Sequence, residues 1–167
     1  MSDYVIRLEE ITWGSLLLAV TMAIHGVGML VTLRVTDTIK ARFKESMSIP
    51  LSLGIVILAS WMIILTSAVE IWVWSEFYVL MGAMPNRSAA IYYALVNYTT
   101  LDSGYLPQRW HLLEGLLAMA GLLTLAWSTG ILYTLIQDFQ RNVLRDRREA
   151  REKQGTPDVV TRDKEKS

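Results

Sequence analysis

Residues 87–105 read RSAAIYYALVNYTTLDSGY, and the fold turns on what this stretch does between two long apolar runs. Its first part, Ala89 to Val96, is continuously apolar apart from tyrosine hydroxyls, whereas Thr99-Thr100-Leu101-Asp102-Ser103-Gly104-Tyr105 is polar and contains a glycine. Pro85-Asn86 supplies a helix start, with Asn86 suited to accept a hydrogen bond from a first-turn backbone N–H. A helix from Arg87 to Thr100 measures roughly 21 Å at 1.5 Å per residue, about two-thirds of the hydrocarbon core of a bilayer. Such a segment cannot span. Its polar end cannot face lipid either, because non-helical backbone at membrane depth persists only inside protein or against a water-filled cavity. The segment must be re-entrant or interfacial; the expectation is a re-entrant helix followed by a loop that protein encloses, with an interfacial amphipathic hairpin as the alternative.

The flanking sequence makes the bilayer the relevant solvent. Of 167 residues 52% are hydrophobic and 19% are charged, and the apolar residues come in blocks rather than at the periods of a soluble fold. The first block, Trp13 to Leu33, is uncharged and extends roughly 31 Å as a helix, enough to cross. No basic n-region precedes it, so it does not read as a signal peptide. A polar connector, Arg34 to Ser48, leads to Pro50, which suits the first turn of a second span running to about Trp74. Trp72, Trp74, Phe77 and Tyr78 form an interfacial aromatic belt at its far end. A third span runs from His111 to Ile136 and carries Gly115, Gly121 and Gly130. From Gln137 the chain turns charged; residues 137–153 continue as a helix into water, and the final GTPDVVTRDKEKS is expected to be disordered.

The fold class is therefore an all-α membrane protein with three transmembrane helices and a re-entrant helix and loop between the second and third. Residues 1–48 hold the first span and its connector, 49–136 the central module, and 137–167 the charged tail. The connector carries four Lys/Arg and the tail nine, together thirteen of the sixteen in the chain. The positive-inside rule then makes connector and tail cytoplasmic, and the N-terminus and residues 75–110 external, in a cell (inner) membrane. The absence of cysteine excludes disulfides and thiolate metal sites, and two histidines alone do not build a catalytic zinc site. A formal net charge of zero gives no reason to expect a nucleic-acid partner.

Residues 51–136 resemble the pore module of the bacterial two-helix potassium channels and their relatives: outer span, pore helix, filter and inner span. The filter of that superfamily typically reads Thr-Thr-(Val/Leu/Ile)-Gly-Tyr-Gly-Asp. This chain retains Thr99, Thr100, Leu101 and Gly104, but has Asp102 at the first glycine, Ser103 at the tyrosine and Tyr105 at the acid. The resemblance implies a homotetramer, because each chain supplies one pore loop and such filters need four around an axis. It implies a selectivity filter at Thr99, Thr100, Leu101, Asp102, Ser103 and Gly104. It also implies permeant cations as the sole ligands, lipid as the surroundings, and no cofactor, soluble substrate or catalytic residue. The departures bear on the ion. A potassium filter stacks backbone carbonyls in conformations that glycine allows and other residues resist. Thr100-Leu101-Asp102-Ser103 also resembles the Thr-Leu-Glu-Ser of bacterial voltage-gated sodium channels, so a ring of four Asp102 carboxylates points to weak selectivity or to sodium or calcium. Asp102 turned behind the filter to bond neighbouring backbone is the plainer alternative.

Gly104 is expected at positive φ in the filter turn. Thr124, Trp127 and Ser128 are candidates to line the cavity below the filter, and Gly121 and Gly130 are candidate gating hinges or points of close helix packing. Glu70, a carboxylate inside the second span, is expected to pair with Arg87 or Arg109 and clamp the pore helix from behind; Asn97 is expected to bond locally near the filter. His25, mid-span in the first helix, reads as a hydrogen-bonded packing histidine, with haem ligation or a proton relay as alternatives. The functional expectation is a passive cation channel. The rival readings are a non-conducting scaffold or regulatory subunit with a decayed filter, and a small redox or transport subunit built around His25 and Glu70.

Overall fold

The computed structural model describes residues 7–43, 49–101, 106–107 and 110–155, and they form an all-helical fold of four elements. These are α1 (Leu8–Arg42), α2 (Ile49–Leu80), α3 (Arg87–Tyr98) and α4 (Leu112–Gly155). Three of them are long and apolar enough to cross a membrane, which makes this a multi-pass membrane protein. Asp102, Ser103, Gly104 and Tyr105, Arg109, and the tail from residue 156 lie outside the described residues.

The long helices overrun their apolar blocks. α1 carries on through much of the expected connector to Arg42, because no glycine or proline interrupts residues 34–42 and Lys40 and Arg42 complement the negative helix end. α2 continues past Trp74 to Leu80, since Phe77 and Tyr78 have a core to pack into. α4 is one helix of 44 residues, about 66 Å, well beyond a bilayer's thickness. α3 has 12 residues, about 18 Å, and ends slightly sooner than the pattern suggests, before the two threonines.

The side-chain distribution is that of a protein dissolved in lipid. Large apolar residues such as Val27, Leu30, Ile57, Trp61, Leu65, Leu122 and Leu125 face outward on the long helices. The buried face of α1 is instead mostly small or polar, with Glu10, Gly14, Thr21, His25, Thr32 and Thr36 interrupted only by Leu17 and Met29. Lipid is as apolar as leucine and drives no such segregation, so close packing and interhelical hydrogen bonds hold α1 against the rest. α1 packs on α2 and α4, and α3 packs on the same two helices.

The core gathers at the end of the bundle where α2 gives way to α3. Trp74, Phe77 and Tyr78 of α2 meet Tyr93 of α3 and Trp110, Leu113 and Leu117 of or beside α4. Phe77–Trp110 and Tyr78–Tyr93 are edge-on ring pairs with centroids 5.9 and 5.5 Å apart, the geometry that ring quadrupoles favour. The turn from α2 to α3 is made by Gly82 at φ 66° and by Ala83 and Met84 N–H groups that return to the Tyr78 carbonyl.

Candidate functional site

The short helix α3 is built from both ends. At its start the Asn86 side chain accepts a hydrogen bond from the Ala89 N–H at 2.8 Å, as the sequence suggests. Ala90, Tyr93, Ala94 and Asn97 form its buried stripe, the i, i+3, i+4, i+7 spacing of one helical face. At its end Thr99 caps, and the Leu101 N–H reaches back to the Val96 carbonyl at 3.0 Å while the Thr100 N–H bonds the Asn97 carbonyl at 2.9 Å. This closure is of Schellman type and demands a left-handed residue, which is Thr100 at φ 65°. A β-branched residue there is a backbone outlier. Thr99 and Thr100, expected to open the filter, thus also terminate the helix; the Thr99 hydroxyl donates back to Leu95 and Val96 carbonyls. Leu101, which follows, is 65% exposed.

Beneath that end lies a chain of buried polar side chains contributed by all four helices. Glu70 of α2 is the hub. Its Oε1 is 2.8 Å from His25 Nδ1 of α1, and its Oε2 accepts the Tyr98 hydroxyl of α3 at 2.5 Å. The Tyr98 oxygen is also 2.5 Å from Thr124 Oγ1 of α4, which sits 3.0 Å from the Gly121 carbonyl. At the other end His25 Nε2 is 3.2 Å from Ser128 Oγ of α4. His25 and Glu70 are both fully buried. One turn along α1, Trp74 Nε1–H donates to Thr21 Oγ1 at 2.8 Å, extending the polar seam between α1 and α2.

Of the two arginines expected to pair with Glu70, Arg109 lies outside the described residues and Arg87 goes elsewhere; Glu70 meets α3 through Tyr98. Arg87 Nε pairs with Glu76 Oε1 at 3.1 Å. Glu76 lies about 9 Å further along α2, nearer the helix end where Arg87 starts α3, and so takes the guanidinium before it can reach the buried carboxylate. The packing-histidine reading of His25 misses how much His25 holds: both ring nitrogens are in hydrogen bonds, so haem ligation would have to break one of them. Asn97 Nδ2 donates to the Tyr93 carbonyl at 3.0 Å, a local bond within α3.

The candidate cavity residues divide. Thr124 and Ser128 are buried in the polar chain, and Trp127 lies beside it with its ring 5.6 Å from the His25 ring while remaining 46% exposed. Together with Ser67, Tyr98 and Thr99, the Thr124 and Ser128 side chains line a cavity of about 400 Å³ between α2, α3 and α4. Gly121 is a point of close approach: a Cβ there would overlap the Tyr98 carbonyl oxygen. Around Gly130 there is open space.

Two features escaped the sequence reading. Glu114, in the first turn of α4, accepts from the Tyr93 hydroxyl and from the Leu106 N–H at 3.1 Å, with His111 Nδ1 3.8 Å away. The signal for it was the same as for Glu70, a carboxylate just inside an apolar span. Tyr98 had no signal, since a tyrosine late in an amphipathic helix is unremarkable until its hydroxyl meets a buried acid. A second cavity of about 300 Å³ is lined by Asn97, Thr100, His111 and Glu114. Among the described residues no three His, Asp or Glu side chains converge as a metal site would require.

Chemically, the chain can run in two directions. With Glu70 as carboxylate, His25 Nδ1–H and the Tyr98 hydroxyl both donate to it, and Thr124 donates to Tyr98. With Glu70 as carboxylic acid, Glu70 can donate to Tyr98, Tyr98 to Thr124 and Thr124 to the Gly121 carbonyl. Each arrangement satisfies these donors, which matters where an unpaired polar group costs about 1–3 kcal/mol. Comparison with family models, with characterised proteins and with solved structures returns no match to this chain.

Proposed function

We propose that the protein is a passive cation channel of potassium-channel-like architecture, assembled as a homotetramer in the cell membrane with its N-terminus outside and its C-terminus in the cytoplasm. The observation that carries this reading is the position of Tyr98. It is the last residue of a helix too short to span, yet its hydroxyl bonds Glu70 and Thr124, both well inside helices of membrane-crossing length. A helix that begins near the end of α2 and finishes at that depth is re-entrant, and the loop after it must be enclosed by protein or water. The partially negative C-terminal end of such a helix stabilises a cation without any charged side chain.

In this reading Thr99, Thr100, Leu101, Asp102, Ser103 and Gly104 form the filter, and Thr124, Trp127 and Ser128 border the cavity on its inner side. Asp102 makes the pore weakly selective or permeable to sodium or calcium. Gly121 serves packing, and Gly130, with nothing crowding it, is the freer position for a bend in α4. The test is cation flux into liposomes holding purified protein, with reversal potentials in mixed potassium, sodium and calcium. Flux that Asp102→Asn alters supports the reading; strict potassium selectivity would remove the side-chain ring, and a monomer or dimer in membrane-like solution would remove the tetramer.

The contact between His25 and Glu70 favours one second reading, a small transport subunit that handles protons in the membrane. Proton-driven acidification of the same liposomes without cation flux would select it.

A further inference from the structure

The four-helix polar chain has no counterpart in a pore that needs only an outer helix, a pore helix and an inner helix, because it begins on α1. His25 sits at the middle of α1 and is fully buried, and its Nδ1 meets Glu70 at 2.8 Å. The ionisable groups on the chain are His25 from α1, Glu70 from α2 and Tyr98 from α3. α4 contributes only the hydroxyls of Thr124 and Ser128 and the Trp127 ring. No Lys or Arg joins it among the described hydrogen bonds and ion pairs.

Charge counting restricts what such a cluster can hold. One proton shared between His25 and Glu70 leaves the dyad at net zero, either as imidazolium with carboxylate or as imidazole with carboxylic acid. One proton fewer leaves a net negative charge, and one more a net positive charge, in surroundings where an unpaired buried charge is expensive. A proton gained on Glu70 Oε2 also reverses the hydrogen bonds at Tyr98: the phenol stops donating to Glu70 and donates to Thr124 instead, which turns to the Gly121 carbonyl. Tyr98 belongs to the last turn of α3, its carbonyl rests on Gly121, and the strained cap at Thr100 follows directly. Tyr98, Thr124 and Ser128, the outer members of the chain, all border the 400 Å³ cavity, so this end of the chain is not sealed by packed side chains.

We infer that the His25–Glu70 dyad is a proton-binding site whose occupancy is passed through Tyr98 to the C-terminal end of α3. The ligand is a proton from the aqueous phase: carboxylate plus proton gives the acid, and the Tyr98 hydrogen bond changes partner. Helix α1 is thereby the carrier of a proton-responsive latch on the C-terminal end of α3. Its consequence for conduction rests on the channel reading above; the latch itself does not.

The test keeps those apart. Infrared difference spectra of the purified full chain between acid and alkaline pH should contain a carboxylic-acid C=O band that Glu70→Gln removes. Trp127 fluorescence should step with pH, because protonated imidazole quenches an adjacent indole, and the step should vanish in His25→Gln and in Trp127→Phe. The chain has no cysteine, so Leu101→Cys accepts a single environment-sensitive label just past α3. That label should shift with the same midpoint, and Tyr98→Phe should abolish its shift while the Trp127 step persists. A label that shifts equally in Tyr98→Phe, or that stays unmoved while the dyad titrates, overturns the latch, as does a Glu70 band independent of pH. Flux measured in parallel judges the other claim: no flux with a working latch defeats the channel reading alone, and flux indifferent to His25→Gln with a silent label defeats the latch alone.

Discussion

The imidazole of His25 and the carboxylate of Glu70 meet at 2.8 Å in the buried centre of the helix bundle, joining the first apolar helix to the second. Their depth sets the energetics. Interhelical hydrogen bonds in membranes contribute on average about 0.6 kcal/mol, whereas stripping a buried polar group of its partner costs about 1–3 kcal/mol, and more when the group is charged. The difference decides which contacts hold α1 in place.

Glu70→Ala and His25→Ala should each lower unfolding free energy in mixed micelles by about 3 kcal/mol or more, and the double variant should lose far less than the two losses combined. Thr21→Val, which keeps the side-chain shape and removes the acceptor of the Trp74 Nε1–H, should cost less, about 1–3 kcal/mol. A double-mutant cycle on His25 and Glu70 with no coupling would show that the contact carries no energy.

Tyr78 and Tyr98 should respond in opposite senses to the loss of a hydroxyl. The Tyr78 hydroxyl is fully buried and, among the described residues, has no hydrogen-bond partner. Tyr78→Phe removes an unsatisfied group and should leave the protein as stable or up to about 1 kcal/mol more so. Tyr98→Phe strips a donor from the Glu70 carboxylate and should destabilise by about 1.5–3 kcal/mol, the range for bonds to charged groups. Thermal unfolding of the two variants side by side checks both.

Gly121→Ala should disrupt the seat of α3 on α4. The added methyl would collide with the backbone of Tyr98, which cannot swing aside as a flexible side chain can. Gly115→Ala and Gly130→Ala meet open space and should be tolerated, with a slight gain from better helix propensity. Protease resistance of the three variants in detergent, followed with time, distinguishes them; equal resistance would contradict the close approach.

Asn86→Ala should cost about 1 kcal/mol by removing the cap of α3, while Arg87→Ala beside it should cost well under 1 kcal/mol. The Arg87–Glu76 pair is 3.1 Å long, but the arginine is 74% exposed and water screens it. Amide exchange in the first turn of α3 should rise in the former and stay near wild type in the latter.

The linear order of residues was enough to read the bilayer as solvent, the three crossing helices and the short helix between the last two. Each is a local property: an apolar block of a given length, a capping asparagine, an apolar stretch too brief to span. Helix ends were less legible, because α1 and α4 run on past their apolar blocks to where Lys40 meets Asp138 at 3.2 Å, and α2 is prolonged by Phe77 and Tyr78 finding a core. What no reading along the chain could supply is that His25, Glu70, Tyr98, Thr124 and Ser128 belong together. They come from four helices, and only the crossing of those helices at one depth brings them within bonding distance. Glu70 had an apparent partner in Arg87 until folding put Glu76 in the way. In an apolar interior a buried acid must be met by whatever donors the packing brings, and tertiary structure alone chose a histidine and a tyrosine.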